Sequence, residues 1–227
     1  LQQRDQALHF ISHDIRAPGA SILTLLEMRR EFPEQLSQQD LLARIERHAR
    51  SSLAMAQGFV QLASAQAYEY HSTPFDLAAA LEETVDDAWA SAQDQQVQMH
   101  ITHLPQAAPV HGDRALICRA ITNIVGNAIK FSPPGSTVQC ALTLESPYWL
   151  ISVRDQGPGI APEQQSHLFQ PFKRLHEGSH PGIAGVGLGL ALVQTVLQRH
   201  GGLVQVRSSS GAGAEFRLLL PQETAEQ

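Results

Sequence analysis

The stretch that decides the fold of this 227-residue chain is Asn123-Ile124-Val125-Gly126-Asn127-Ala128-Ile129-Lys130-Phe131. Its apolar residues recur at helical spacing, whereas Asn123, Asn127 and Lys130 share the opposite side of the helix. Amide oxygens are hard ligands that suit Mg²⁺, and an ammonium group beside them suits the phosphates of a polyphosphate. We therefore predict a helix over residues 113–131, with Asp113 as N-cap, that faces such a ligand. A plain polar helix face is the alternative.

Two glycine-containing segments follow this helix. Asp155-Gln156-Gly157-Pro158-Gly159-Ile160 comes after a predicted strand; its glycines allow the backbone to approach a flat ligand, and Asp155 can accept a hydrogen bond from the exocyclic amine of adenine. Gly185-Val186-Gly187-Leu188-Gly189-Leu190-Ala191 begins a predicted helix, and alternating glycines at that place form a phosphate cradle of backbone N–H groups. The spacing is not Gly-x-Gly-x-x-Gly and no short β-α-β unit surrounds it, which excludes a Rossmann fold. Taken singly, ordinary glycine turns remain the alternative.

The segment between these glycine stretches is rich in Gly and Pro and is predicted to be a mobile loop covering a nucleotide. Phe169 and Phe172 are predicted to anchor its beginning, and Arg174 to contact a terminal phosphate. A plain surface loop is the alternative interpretation.

The first part of the chain predicts a helical hairpin. Apolar residues recur every seven positions over residues 1–30, as in a coiled coil. A second helix is predicted from Asp40, its N-cap, to Tyr68, after a loop that contains Pro33. Since one hairpin cannot bury two apolar faces, we expect a homodimer with a four-helix bundle. Residues 71–74 are predicted to be a linker, which places the domains at 1–70 and 71–227.

His13 is predicted to lie on the face of the first helix opposite the apolar residues. An exposed imidazole titrates near neutrality and can act as a nucleophile, and Asp14 beside it can orient the ring and accept a proton. For an isolated histidine, a surface residue without a role is the alternative.

Beyond residue 70 the pattern alternates between helices and strands, which predicts an α+β fold with a mixed sheet and one helical layer, an α/β sandwich. The predicted elements are helices at 77–92, 113–131 and 187–200 and strands at 97–102, 137–144, 149–154, 204–206 and 215–220.

Composition excludes several classes of protein. Apolar residues make up 43% and charged residues 17% of the chain, which is typical of a globular protein. The net charge of −6, without a basic block, disfavours nucleic-acid binding. Cys118 and Cys140 form no Cys-x-x-Cys pair and are interpreted as buried thiols of a reducing compartment. No signal peptide or membrane-spanning stretch is evident, so we expect a cytoplasmic fragment whose parent protein holds any membrane anchor upstream.

In this order, the segments resemble the catalytic core of sensor histidine kinases. His13-Asp14 and Pro18 are similar to the phosphoacceptor motif His-Glu/Asp-x-x-Thr/Asn-Pro. The asparagine and glycine segments resemble the ATP-binding domain of the gyrase, chaperone and MutL-like ATPases. The resemblance implies two-component signalling: ATP-dependent phosphorylation of His13 and transfer to an aspartate in the receiver domain of a response regulator, with ATP and Mg²⁺ as cofactors.

The resemblance also implies roles for single residues. His13 and Asp14 are the implied catalytic residues, Asn127 with help from Asn123 the implied Mg²⁺ ligands, and Asp155 the implied adenine contact. The implied nucleotide-binding residues are Asn123, Asn127, Lys130, Phe131, Asp155, Gly157, Gly159, Arg174, Gly185, Gly187, Leu188 and Gly189.

The chain departs from the family pattern where Ala17 replaces the usual Thr or Asn and where Val186 replaces Thr or Ser. These changes predict weak phosphatase activity and modest ATP affinity. Two other functions are therefore weighed against the kinase. An ATP hydrolase of the same superfamily would need a Glu where Asn123 stands, since an amide cannot deprotonate water. A catalytically weak, nucleotide-binding dimeric scaffold is the second alternative.

Overall fold

The computed structural model describes residues 16–34, 36–67, 71–171 and 187–222. These residues divide into two compact units, of which the first extends to Gln61 and the second begins at Leu62. Residues 62–67 are helical and group with the second unit, a few positions before the boundary predicted at residue 70. Among the described helices, none combines the length and the apolar character that a membrane crossing requires.

The described residues of the first unit lie mainly in two helices, as predicted, and the second of these continues into the second unit. Helix α1 spans Arg16–Glu31 and α2 spans Gln38–Ala67. The prediction of Asp40 as N-cap is wrong, because Ser37 occupies that position. Its Oγ accepts a hydrogen bond from the Asp40 backbone N–H at 3.0 Å and donates to the Asp40 carboxylate at 2.6 Å. A hydroxyl in this position satisfies one of the free N–H groups of the first turn, and the carboxylate favours the positive end of the helix dipole.

Large apolar side chains of the first unit remain in contact with solvent. Leu23 is 62%, Leu53 59% and Val60 61% exposed, although Leu25 and Leu41 are buried. A hairpin of two helices has too little volume to cover every apolar position that its sequence provides. The single chain therefore leaves apolar surface available for another helix pair.

The second unit contains a mixed sheet, which confirms the predicted α+β class. The strands are β1 Thr73–Asp76, β2 Gln98–His103, β3 Pro109–Gly112, β4 Thr137–Glu145, β5 Tyr148–Arg154, β6 Leu203–Ser208 and β7 Ala214–Pro221. The sheet order is β2-β4-β5-β7-β6; β2 pairs parallel with β4 and the other pairs are antiparallel. A separate two-stranded sheet joins β1 and β3.

The helices of this unit supply the layer that covers the sheet. These helices are α3 Leu77–Asp87, α4 Trp89–Asp94, α5 Arg114–Phe131, α6 Pro162–Gln165 and α7 Gly189–Arg199. Helices α5 and α7 pack on each other and on the sheet, with α3 beside α5. The core is formed by fully buried side chains of both layers, including Ile121 and Ile124 of α5, Leu142 of β4 and Ile151 of β5.

Three predictions fail in detail. The predicted linker is wrong at Thr73 and Pro74, because both lie in β1, which pairs with β3 from Thr73 opposite Gly112 to Asp76 opposite Pro109. A proline in each strand disfavoured a strand prediction, yet a two-stranded edge tolerates the missing N–H donors. The single helix predicted over 77–92 is interrupted at Ala88. Both thiols were predicted to be buried; Cys140 is buried, whereas Cys118 is half-buried.

His200 fixes the end of α7 to the beginning of α5. Its Nε2 accepts a hydrogen bond from the backbone N–H of Asp113 at 2.9 Å, so Nδ1 carries the proton and donates to the Val196 carbonyl at 2.7 Å. A Cβ on Gly112 would lie 2.6 Å from the imidazole Cδ2, so glycine is required there. Burial lowers the pKa of His200 below its ordinary value.

Replacing His200 by phenylalanine is expected to lower the free energy of unfolding at neutral pH by about 2 kcal/mol, because the buried Asp113 N–H loses its acceptor. The Val196 carbonyl keeps its hydrogen bond from the backbone N–H of residue 200. In the unsubstituted protein the unfolded chain binds the histidine proton more tightly than the folded one. Stability is therefore full above the ordinary pKa of 6.5 and declines as pH falls below it. Urea titrations of the unsubstituted and His200→Phe proteins between pH 8 and 5 measure the free energy of unfolding of each. The difference between the two proteins should become smaller as pH falls, and a constant difference would contradict the assignment.

Candidate functional site

Asp155 lies directly after β5 and is 5% exposed. Its Oδ1 accepts two backbone hydrogen bonds, from Gly157 at 2.8 Å and from Ala214 at 3.1 Å. The Asp155 backbone N–H in turn donates to the Ala214 carbonyl at 2.8 Å. Within the described part of the chain, Oδ2 has no hydrogen-bond donor. The carboxylate is thus held in one orientation with a single oxygen left for a ligand.

Electrostatics at this carboxylate follow from its burial. Burial raises the pKa of Asp155 above its ordinary value, and the N–H groups of Gly157 and Ala214 act in the opposite direction because they stabilise the anion. A partly desolvated acceptor of this kind binds a neutral N–H donor strongly, since little water competes for it.

The glycines of the 155–160 loop are required by contacts within the protein. A Cβ on Gly157 would lie 2.7 Å from the Phe131 carbonyl oxygen, at the end of α5. Gly159 has φ +69° and a Cβ there would overlap the Ser209 carbonyl. The sequence analysis explained both glycines by the close approach of a ligand. In the structure, backbone carbonyl groups of the protein itself lie too close to Gly157 and Gly159 for a Cβ at either position.

Asn123 and Gly189 are neighbours, so the asparagine helix α5 and the second glycine segment meet. The Asn123 Nδ2 donates to the Arg119 carbonyl at 2.9 Å, and its Oδ1 lies 2.5 Å from the position of a Cβ on Gly189. Asn127 is half-buried, and its side chain makes no hydrogen bond to a described residue. The Lys130 ammonium lies 5.0 Å from the centroid of the Phe131 ring.

These donors fit the predicted magnesium ion to different degrees. The uncommitted amide of Asn127 offers a hard oxygen, which Mg²⁺ can share with phosphates and water. The Asn123 amide is already oriented by Arg119 and faces Gly189, so its oxygen is less free. Among the described residues no cluster of three His, Cys, Asp or Glu side chains exists that would offer another metal site.

The N-terminus of α7 offers N–H groups for an anion. Gly187, with φ +73°, and the buried Leu188 precede the helix, and no side chain caps it in the described structure. The first-turn N–H groups of an uncapped helix have no intrahelical acceptor and suit a phosphate.

Several predicted residues fall outside the described part of the chain. The implied catalytic residues His13 and Asp14 are among them. The others are the loop anchor Phe172, the implied nucleotide-binding residues Arg174 and Gly185, and Val186, where the chain departs from the family pattern. Of the loop that precedes them, Leu168 is buried and Phe169 half-buried.

Sequence reasoning missed the contribution of the β6–β7 turn. The Ala214 N–H orients Asp155, and Ser208 and Gln165 bind the backbone at Ile160. Backbone donors carry no signature of residue type, so the only available signal was Gly211 and Gly213 before a strand.

The fold and this site define a nucleotide-binding α/β sandwich, with a buried carboxylate at a strand end and an asparagine face against a glycine-led helix. Residues 112–224 match the family described as histidine kinase-, DNA gyrase B-, and HSP90-like ATPase. The chain belongs to the sensor histidine kinases and corresponds to their catalytic core.

Similar proteins and a similar solved structure support the assignment to the sensor histidine kinases. The chain is 29% identical over 227 residues to sensor histidine kinase RppB of Synechocystis sp., covering 97% of this chain and 49% of that protein. It is 32% identical over 217 residues to sensor protein CutS of Streptomyces coelicolor, covering 92% and 51%. The structure of full-length ShkA in complex with AMPPNP superposes with a TM-score of 0.68 at 25% identity, covering 98% of this chain and 47% of that one. The chain thus spans about half the length of the curated relatives it matches.

Proposed function

We propose that this chain binds ATP with Mg²⁺, transfers the γ-phosphoryl group to His13, and passes it to an aspartate in the receiver domain of a response regulator. The observation that supports this most directly is the geometry of Asp155. Its Oδ1 is saturated by two backbone N–H groups, and its Oδ2 is the remaining acceptor.

Base selection follows from that free oxygen. A carboxylate acceptor pairs with the exocyclic amine of adenine, whereas the corresponding oxygen of guanine is itself an acceptor and is repelled. The structure of ShkA with AMPPNP, an adenine nucleotide analogue, is consistent with this ligand class.

The triphosphate is expected to lie between α5 and the beginning of α7. The uncapped N–H groups of α7 attract its negative charge, and the Lys130 ammonium adds a point charge. Asn127, with help from Asn123, is the residue proposed to hold Mg²⁺, and the bound ion would neutralise charge that develops on the phosphates.

Phosphoryl transfer to His13 requires a neutral imidazole nitrogen. Its lone pair forms a bond to the γ-phosphorus while the bond from that phosphorus to the β–γ bridging oxygen breaks, and ADP leaves. Asp14 is proposed to accept the imidazole proton, which keeps the phosphorylated ring neutral. In the second step an aspartate oxygen of the regulator forms a bond to the phosphorus while the bond from phosphorus to the imidazole nitrogen breaks. Asp14 returns the proton to the ring, so that a neutral imidazole is released.

A homodimer formed through the helical hairpin is the proposed assembly. Leu23, Leu53 and Val60 of the first unit are mostly exposed in the single chain. Burying such side chains against a second copy removes apolar surface from water, and helix pairs do this by forming a four-helix bundle.

Incubating the protein with γ-labelled ATP and Mg²⁺ tests the proposed function. We expect label on the protein that is labile in acid and stable in base, and that a receiver domain removes. Released phosphate without labelled protein would indicate a hydrolase, and nucleotide binding without either product would indicate a scaffold. Either result overturns the proposal.

A further inference from the structure

Two side chains hold the 155–160 loop where it ends. The Ile160 N–H donates to Ser208 Oγ at 2.8 Å, and its carbonyl accepts from Gln165 Nε2 at 3.0 Å. Ile160 is buried and belongs to no strand or helix. Its two backbone polar groups are thus satisfied by side chains instead of a sheet ladder, and leaving either unpaired would be costly.

The same two side chains also bind backbone carbonyl groups at the β6–β7 turn. Ser208 Oγ donates to the Gly213 carbonyl at 2.6 Å, and Gln165 Nε2 donates a second hydrogen bond to the Ser208 carbonyl at 2.9 Å. We call Ser208 and Gln165 the latch. The latch connects the loop end, the last residue of α6 and the β6–β7 turn.

The other contacts of the loop lead to the same turn. Asp155 Oδ1 binds the Ala214 N–H at the loop's beginning, and the Pro158 carbonyl accepts from the Gly211 N–H at 2.6 Å in its middle. The turn between β6 and β7 is therefore the platform on which the loop rests. Since the loop has no regular structure, the position of the Asp155 carboxylate depends on these few bonds.

We infer that Ser208 and Gln165 are positioning residues for base recognition. They act through the loop backbone, keeping Asp155 and the following glycines at the depth at which the base binds. The inference rests on the proposed function. It predicts an effect on nucleotide affinity and not on phosphoryl transfer, because no latch atom is in the part of the site assigned to the phosphates.

Gln165→Glu is the sharpest test, since it keeps size and shape but replaces both N–H donors by an oxygen that faces two carbonyl oxygens. We expect the Kd for ADP, measured by calorimetry, and the KM for ATP to rise about ten-fold, the loss expected for one to two hydrogen bonds. The kcat for His13 labelling at saturating ATP should be unchanged. Gln93→Glu is the matched control, because Gln93 is exposed on α4 and its side chain has no hydrogen bond to a described residue.

Ser208 provides an independent series. Ser208→Ala leaves the Ile160 N–H without an acceptor and should raise the Kd for ADP to a similar extent. Ser208→Thr keeps the hydroxyl and should restore affinity to near that of the unsubstituted protein.

ADP binding by the unsubstituted protein is measured first, because its absence would overturn the proposed function itself. With normal binding there, an unchanged Kd in both Gln165→Glu and Ser208→Ala overturns the positioning role alone. A fall in kcat that parallels a fall in Tm, without rescue by Ser208→Thr, also overturns it, since that is the result of a purely structural role.

Discussion

His13→Gln is expected to abolish phosphorylation of the protein by γ-labelled ATP, reducing the acid-labile label to background. A glutamine amide has no basic nitrogen lone pair, so it cannot form a bond to the γ-phosphorus. Affinity for ADP should be unchanged, because the residues proposed to bind the nucleotide are distinct from His13. The loss would therefore lie entirely in the acceptor and not in the binding of ATP.

The matched control is His48→Gln, which makes the same change on helix α2. This variant should be labelled as well as the unsubstituted protein. Acid and base stability of the label, followed by peptide mapping, identifies the modified residue. Persistent acid-labile label on the His13→Gln protein would show that another histidine is the acceptor and would refute the assignment.

Asp155→Asn is expected to weaken ATP binding about 100-fold with little change in Tm. The Gly157 and Ala214 N–H groups require an oxygen at the Oδ1 position, so the asparagine Oδ1 takes that place. Its NH₂ group must then occupy the position of Oδ2 and meets the adenine amine donor to donor. Loss of a charge-assisted hydrogen bond together with an unpaired buried donor accounts for a factor of this size.

Binding of inosine triphosphate separates base recognition from general damage. The exocyclic C6 carbonyl oxygen of its base accepts where the adenine amine donates, so the Asp155→Asn protein should prefer inosine triphosphate to ATP, reversing the order of the unsubstituted protein. Asp87→Asn, at an exposed carboxylate, should change neither affinity. Equal weakening for both nucleotides would contradict the proposed contact.

The pH dependence of binding provides a further measurement on the same carboxyl. Burial raises the pKa of Asp155, so protonation begins at a higher pH than for an exposed aspartate. A protonated carboxyl is a weaker acceptor, and ADP affinity should therefore fall as pH is lowered through that raised pKa. The Asp155→Asn protein should lack this dependence.

Local patterns were sufficient for most of the fold. The periodicity of residues 113–131 predicted α5 and its cap Asp113, whose Oδ1 accepts from the Leu116 N–H at 3.1 Å. Strand-like segments beside turn residues predicted β4, β5 and β7. Of these, β4 largely alternates between buried and more exposed positions, whereas β5 and β7 bury consecutive residues. Where local preference and tertiary pairing disagree, as at Pro74 and Pro109, the sequence pattern failed. The energy of that strand pair comes from a partner more than thirty residues away.

In the candidate site, too, some residues could be predicted from the sequence and others could not. Side chains with distinctive chemistry, such as Asp155 and the two asparagines, were evident from type and spacing, because amide oxygens and carboxylates are few on an otherwise apolar helix or strand end. Three contacts were not evident from the sequence. They are the latch of Ser208 and Gln165, the His200 contact with Asp113, and the orientation of Asp155 by Ala214. Each joins segments distant in sequence through backbone groups, which every residue possesses.

By itself, the sequence predicted most of the helices and strands, the class of ligand and the family, since these depend on side-chain chemistry and on periodicities of a few residues. Only the tertiary structure decided which oxygen of Asp155 remains for a ligand, why Gly157, Gly159 and Gly189 must lack a Cβ, and what holds the loop in place. Those features are set by distances between segments that the chain brings together on folding, and a packed interior tolerates errors of only a few tenths of an ångström in them.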